Sequence, residues 1–383
     1  MNSRERVTAA IARKPVDKIP LGLYAVDCDT IEKVIRRKTF VRNKIATKLA
    51  LSEGRRDEVA ESLKKDSVEF YEKIDCVDLI LPKEPEILPP RDYTPDKLKK
   101  TSDNTWEDEH GRIYKAVWEE NDLMCIHDPD TDKKITLSDF ESQIEFTPPH
   151  ESCFEAIDFF LNRFGKEKYV CCYGVSVGIP LLSTGGGGSF ERSMMTFALE
   201  PEIVHAAGKQ GVDYCRRAAP YCMRPGAAGL HIGQDMAGTN GPFISPDMFR
   251  ELALPYMKES ISILKQYTEQ INFHNCGMNI PLMEMFIEAG IDCYQSLQTT
   301  AGMEIGKLKK MFGNRLCFWG GVSMEKLITG TQDEVRADVR NALERGAPGG
   351  GFILGPSHSI AYGTKYDNFM AMLDEFVKLR DKY

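Results

Sequence analysis

With 383 residues, 42% of them hydrophobic and 28% charged, the chain is long enough to bury a large core, which excludes a disulfide-stapled mini-domain and a disordered tail. Its 57 acidic residues against 49 basic ones leave a formal net charge of −8, which weighs against nucleic acid or an anionic membrane surface as partner. No run reaches the roughly 18–20 continuous apolar residues of a membrane helix; the richest, Val170 to Leu182, is broken by Gly174, Gly178 and Pro180. The start, Met1 to Arg6, carries charge but no apolar run before a small-residue cleavage site, and the 11 cysteines follow no regular framework. Both point to reduced thiols and a cytoplasmic location.

In chain order, Ser3 to Arg13 reads as a short helix closed off by Lys14-Pro15. About eight β-rich runs then alternate with helical patterns. They are Ile19 to Ala25, Val77 to Leu81, Tyr169 to Ser176, Gly229 to Ile232, Gln270 to Phe273, Ile291 to Leu297, Leu316 to Trp319 and Phe352 to Leu354. Helices are predicted at Glu151 to Phe164, Pro246 to Tyr267, Asn279 to Ala289, Thr331 to Arg345 and Asn368 to Lys382. The expected architecture is α/β, a (β/α)8 TIM barrel in one domain over 1–383, with an N-terminal helical extension. Residues 82–149 break the alternation. Polar and rich in Pro, Asp and Lys, with a hairpin-like centre at Trp106 to Trp118 turning near His110-Gly111, they read as an insertion: surface decoration, an active-site lid or a partner surface.

In a parallel barrel the functional groups gather where strands end. Asp27, Gln234-Asp235, His274-Asn275-Cys276-Gly277, Gln298 and Ser357-His358 all follow predicted strands. Two-residue spacing points His274 and Cys276 to the same side, and zinc accepts one imidazole, one thiolate and a third ligand, for which His358 is the best candidate. A buried, hydrogen-bonded histidine is the ordinary alternative. Asp235 is a candidate to orient a ligand histidine, move a proton or bind metal, with turn capping as its bland role. The run Gly185, Gly186, Gly187, Gly188 satisfies neither a dinucleotide fingerprint nor a P-loop, so it reads as backbone that admits a bulky ligand or as a flexible loop. Gly174-Val175-Ser176-Val177-Gly178 matches a nucleophile elbow, but Ile179-Pro180 follows where a helix should begin. His205 reads as structural; His231 is a secondary candidate.

Taken together, Ser3-Arg4-Glu5-Arg6-Val7 with Ile19-Pro20, Asp235 with Gly241-Pro242-Phe243-Ile244-Ser245-Pro246, His274-Asn275-Cys276-Gly277, and Gly349-Gly350-Gly351-Phe352-Ile353-Leu354 leading to Pro356-Ser357-His358 resemble the uroporphyrinogen decarboxylase superfamily. Within it they resemble the corrinoid-dependent methyltransferases, such as the substrate-side enzymes of O-demethylase systems. The likeness spans nearly the whole chain and implies the same (β/α)8 fold. True uroporphyrinogen decarboxylases carry an arginine-rich segment after the first strand, whereas Leu21 to Asp29 holds no arginine and is acidic. The methyltransferase branch uses zinc on a His-x-Cys pair and a later cysteine; His274 and Cys276 match the pair, and His358 stands at the later position.

The resemblance implies a zinc-dependent methyltransferase that moves a methyl group from a small methylated donor, such as a methoxylated aromatic, to the cobalt of a corrinoid (cobalamin). No Asp-x-His-x-x-Gly cobalt-binding motif occurs in the chain, so the corrinoid is expected on a partner protein, entering past Gly185 to Gly188. The rival readings are a methylcorrinoid-to-thiol (coenzyme M-type) methyltransferase, a metal-free decarboxylase using Asp235, and a non-catalytic binding barrel. A homodimer is compatible with all of them.

Overall fold

The computed structural model describes residues 1–82, 87–131, 133–175, 177 and 190–383. Eight parallel strands form one sheet in sequential order: β1 Gly22–Leu23, β2 Leu79–Ile80, β3 Tyr169–Tyr173, β4 Gly229–Gly233, β5 Ile271–His274, β6 Cys293–Gln295, β7 Cys317–Val322 and β8 Phe352–Pro356. A parallel bridge between Leu21 and Leu354, with Leu354 N donating to Pro20 O at 3.0 Å, brings the two edge strands together and closes the barrel. Each strand falls within or overlaps a run expected from sequence.

Alternation along the strands divides the core in two. Leu79, Tyr169, Cys171, Cys293, Cys317, Trp319 and Ile353 pack on one another inside the barrel, while Val170, Cys172, Leu230, Ile232, Phe273 and Phe318 face the surrounding helices. Trp319 fills the centre and donates its indole N–H to Gly22 O at 3.1 Å. A Cβ at Gly22 would lie 2.5 Å from that indole nitrogen, so glycine there is the condition for the ring to fit. The 11 cysteines are not joined by disulfides.

Helix Ser3–Ile11, opened by a capping box between Asn2 and Glu5, plugs the barrel floor with Val7, Ala10 and Ile11. Beside it, Asp78 is the shared acceptor of a buried charge cluster. Its Oδ1 takes Arg6 Nη1 at 2.7 Å and Ser3 Oγ at 2.6 Å; its Oδ2 takes Arg380 Nη2 at 2.6 Å and the Leu21 amide at 3.0 Å. One carboxylate thus ties the first helix, the lead-in to β1, the start of β2 and the chain's last turn.

The expected helices form with altered ends. Glu151–Phe154 is a 3-10 turn before helix Glu155–Phe164, and Ile280–Leu282 is one before Met283–Ala289. The long segment from Pro246 is interrupted by a π-helical stretch, Phe249–Ala253, ahead of Leu254–Leu264. Pro255 accounts for the interruption, because it lacks the N–H that would continue the α-helical ladder. Helices Cys28–Ile35, Lys44–Ser52 and Arg56–Lys73, in a stretch the sequence reading leaves unassigned, fill the first crossover. Among the described residues no helix is long and apolar enough to cross a membrane.

The 82–149 segment holds more than a hairpin. Strands Lys99–Ser102, Thr105–Glu107, Ile113–Val117 and Asp122–His127 form a four-stranded antiparallel sheet. Trp106, Tyr114, Ala116 and Leu123 pack it on Ile45 and Leu49. The expected turn at His110-Gly111 is present, with Gly111 at φ +77° and Asp108 Oδ1 accepting the amides of His110 and Arg112.

Two outcomes follow from the ion pairs. Asp78→Ala leaves the buried Arg380 without a carboxylate partner and Arg6 with Asp17 alone, and should cost about 3–5 kcal/mol of unfolding free energy in a urea titration; a loss below about 1 kcal/mol would show that this cluster does not hold the barrel floor together. Glu155 is gripped by Arg91 at 2.7 Å, Lys64 at 3.0 Å and Arg56. Burial works against its charge, but these hydrogen bonds outweigh it and hold its pKa at about 2, below the usual 4.5. Its contribution is complete above pH 4.5 and is lost as the pH falls toward 2. Glu155→Gln should therefore flatten the acid limb of a melting temperature-versus-pH curve; an unchanged limb would refute this.

Candidate metal centre

β5 ends at His274, which is buried at 6% exposure and faces the barrel interior. The next residues form a turn whose polar groups are met one by one. The Cys276 amide donates to Asp235 Oδ1 at 2.8 Å and the Gly277 amide to Gln298 Oε1 at 3.0 Å. Asn279 Nδ2 reaches Asn275 Oδ1 at 2.9 Å and Cys276 O at 2.6 Å, while Tyr294 Oη donates to Asn275 O at 2.6 Å. Gly277 has φ +85°, and a Cβ there would fall 2.3 Å from Ala237 O. Only glycine fits this close backbone approach.

The turn brings His274 Nε2 within 3.3 Å of Cys276 Sγ. β8 supplies the third group. After Pro356, the Ser357 amide bonds Val322 O at 2.6 Å and Ser357 Oγ accepts from the Met324 amide, which turns His358 over the same opening. The ligand atoms of His274, Cys276 and His358 all lie within 4.8 Å of one another. A tetrahedral ion with bonds of about 2.0–2.3 Å sets its ligands roughly 3.3–3.8 Å apart. The triad lies at or somewhat beyond that spacing, and two imidazole nitrogens with one cysteine sulfur are a zinc-type donor set.

The neighbours prepare these groups. Gln295, directly opposite His274 in the parallel register, hydrogen-bonds Nδ1 through its Oε1. The Nδ1 proton is thereby used, and Nε2 presents its lone pair toward Cys276. Ser296 Oγ lies 3.3 Å from Cys276 Sγ. Tyr24 stacks flat on His274, centroids 4.4 Å apart and 2° from parallel, and meets His358 edge-on at 5.6 Å; with Trp319 at 6.4 Å it makes the floor. At the rim Glu325 accepts from Ser323 Oγ at 2.7 Å and Thr300 Oγ1 at 3.2 Å. Burial raises its pKa, but these bonds, its own amide and the His358 imidazole prevail and lower it, so it stays ionised.

His274, Cys276 and His358 are thus brought together. Asp235 stands beside them, its Oδ1 3.8 Å from His274 Nε2, and it also has the turn-holding role that its loop position implies. Gly185, Gly186, Gly187 and Gly188, with Ser176 and Gly178 of the elbow-like motif, lie outside the described residues. His205 bonds Tyr256 Oη at 2.8 Å, a structural contact. His231 faces inward against Tyr24, Tyr173 and Trp319. Asp27 is absorbed by Arg42 at 2.8 Å and by the Tyr362 amide at 2.9 Å.

Tyr24, Ser296, Asn279 and Glu325 are not singled out by sequence, and Gln295 is not assigned a role there. Strand-end position marks Tyr24, Gln295 and Ser296, but which strand end meets which is a matter of register. Gly277→Ala should displace the turn, costing about 2 kcal/mol or more in unfolding free energy. Unchanged stability together with unchanged zinc uptake would contradict the close approach to Ala237.

The uroporphyrinogen decarboxylase (URO-D) family model matches residues 176–379. A uroporphyrinogen decarboxylase of Thioalkalivibrio sulfidiphilus is 25% identical over 150 residues, covering 37% of this chain and 40% of that protein. One of Chlorobium phaeobacteroides is 26% identical over 202 residues, covering 50% and 54%. The chain thus spans about half the length of these curated relatives. A solved structure described as a methyltransferase from Methanosarcina mazei superposes with a TM-score of 0.67 over 99% of both chains at 16% identity, a likeness of fold.

Proposed function

The chain belongs to the uroporphyrinogen decarboxylase family, and within that family we propose that it is a zinc-dependent methyltransferase, transferring a methyl group from a small methylated donor to the cobalt of a corrinoid carried by a partner protein. Methoxylated aromatics are the first donors to test. The observation that carries the reading is the meeting of His274, Cys276 and His358 at the mouth. One thiolate and two neutral imidazoles leave a bound divalent ion more positive than two thiolates would. Such an ion supplies Lewis-acid stabilisation of a leaving oxygen.

The chain's own residues do the rest. Gln295 fixes the His274 tautomer, Tyr24 holds the imidazole planes, and Asp235 holds the Cys276 amide, with its carboxylate at the edge of the centre, 3.8 Å from His274 Nε2. The segment after β1 gives no help to a polycarboxylate. It has no arginine between Leu21 and Asp29, and the guanidinium that reaches it, Arg42, is neutralised by Asp27. This favours methyl transfer over porphyrinogen decarboxylation. In the same reading residues 1–383 are one domain with an insertion at 82–149, and the run Gly185 to Gly188, outside the described residues, is assigned to admitting the corrinoid.

Protein purified without a histidine tag should carry near-stoichiometric zinc by elemental analysis, and His274→Ala and Cys276→Ala should each lower metal affinity or turnover at least about tenfold. With cob(I)alamin and a panel of methyl donors, the methylcobalamin spectrum should grow in. Zinc absent after careful purification would favour a decarboxylase using Asp235 or a non-catalytic binding barrel, and methyl transfer from methylcobalamin to a thiol would reverse the assigned direction.

A further inference from the structure

Gln295 and Ser296 are consecutive, yet both side chains reach the same turn of the neighbouring strand. Gln295 serves the His274 ring and Ser296 Oγ lies 3.3 Å from Cys276 Sγ. Successive residues of an extended strand point to opposite sides. Ser296 breaks the alternation with a φ of +87°, a left-handed conformation that costs any residue bearing a Cβ and suits glycine best. Both side chains are buried, at 0% and 1% exposure. The backbone at this point therefore calls for glycine, and what serine adds to glycine here is a hydroxyl beside the sulfur.

We infer that Ser296 is a positioning residue for the Cys276 sulfur, its hydroxyl donating a hydrogen bond to the thiolate. This rests on the metal-centre reading above. The bond holds the sulfur on the side of His274 Nε2, and by drawing electron density from sulfur it weakens thiolate donation to a bound ion, which leaves that ion the better Lewis acid. The left-handed backbone is what lets one strand end aim two consecutive side chains at two different ligands of the same centre.

The test uses the full chain with cobalt(II) as a spectroscopic stand-in for zinc, comparing wild type with Ser296→Gly and Ser296→Ala. Wild type should show a thiolate-to-cobalt charge-transfer band. Both variants lose the hydrogen bond, so in both the band should move to longer wavelength, and cobalt affinity should fall by about tenfold because the sulfur is no longer held on the His274 side, an effect larger than the stronger donation of the freed thiolate. Melting of the metal-free proteins separates this from damage to the fold. Ser296→Gly relieves the backbone and should melt at or above the wild-type temperature, whereas Ser296→Ala keeps the strain and gains nothing. A band and affinity in Ser296→Gly equal to wild type would overturn the inference alone. A wild-type protein that binds cobalt with no thiolate band, or binds none, would remove the metal reading and this inference with it.

Discussion

The parallel register that sets His274 of β5 opposite Gln295 of β6 is the constraint on which the mouth of this barrel depends. It delivers an amide oxygen to Nδ1, fixes which ring nitrogen is free, and carries Ser296 up to the sulfur two residues beyond the histidine. A slip of one residue would turn Gln295 to the outer face and leave the imidazole without its orienting partner. Register of this kind is enforced from below: Cys293, two residues before Gln295 and paired with Asn272 of β5, is locked with Cys317 of β7 in the layer around Trp319.

The two ends of the barrel divide the work. The floor is charged and ion-paired, with Asp78 joining chain segments that lie at opposite ends of the sequence. Such a cluster is costly to break, and it holds the first helix, the lead-in to β1 and the end of the last helix against the start of β2. The mouth is held mostly by neutral amides, hydroxyls and backbone groups, with the carboxylates of Asp235 and Glu325 at its edge. Stability at the N-terminal face and chemistry at the C-terminal face is the usual division in parallel barrels.

The inserted sheet belongs to the mouth side. Asn121 Nδ2 contacts Cys28 Sγ at 3.1 Å, next to the loop that leaves β1, and Lys44 binds Asp122 at 2.7 Å. Farther on, Arg192 donates to Thr131 O, Gln210 to Ser142 O and Arg217 to Ile144 O, which ties the same insertion to the helices that follow β3. It therefore spans the flank from the first strand's exit to the third's, so the segment read as decoration, lid or partner surface is anchored on both sides of β2.

Hydrophobic runs at the right spacing were enough to place every barrel strand, because a buried parallel strand must be apolar along its length whatever its neighbours are. The short-range pattern His274-x-Cys276 likewise fixes two side chains on one side of one strand end, and the preference of zinc for nitrogen and sulfur does the rest. The helices of the first crossover carry weaker periodic signals, and the inserted sheet is visible only at its central hairpin. Its outer strands, such as Lys99–Ser102, are exposed and polar, and pair because of what lies beside them.

What the sequence by itself determined was therefore local: strand positions, a turn that needs Gly277, and an imidazole and a thiol two residues apart. Strand-end position made His358, 84 residues after His274 by their numbering, a candidate, but only tertiary structure brings it into their space and sets Tyr24, Gln295 and Ser296 against the same pair. Those meetings depend on closure of the barrel and on inter-strand register. Both are set by long-range packing and backbone hydrogen bonding, and neither leaves a mark in the spacing of residues along the chain.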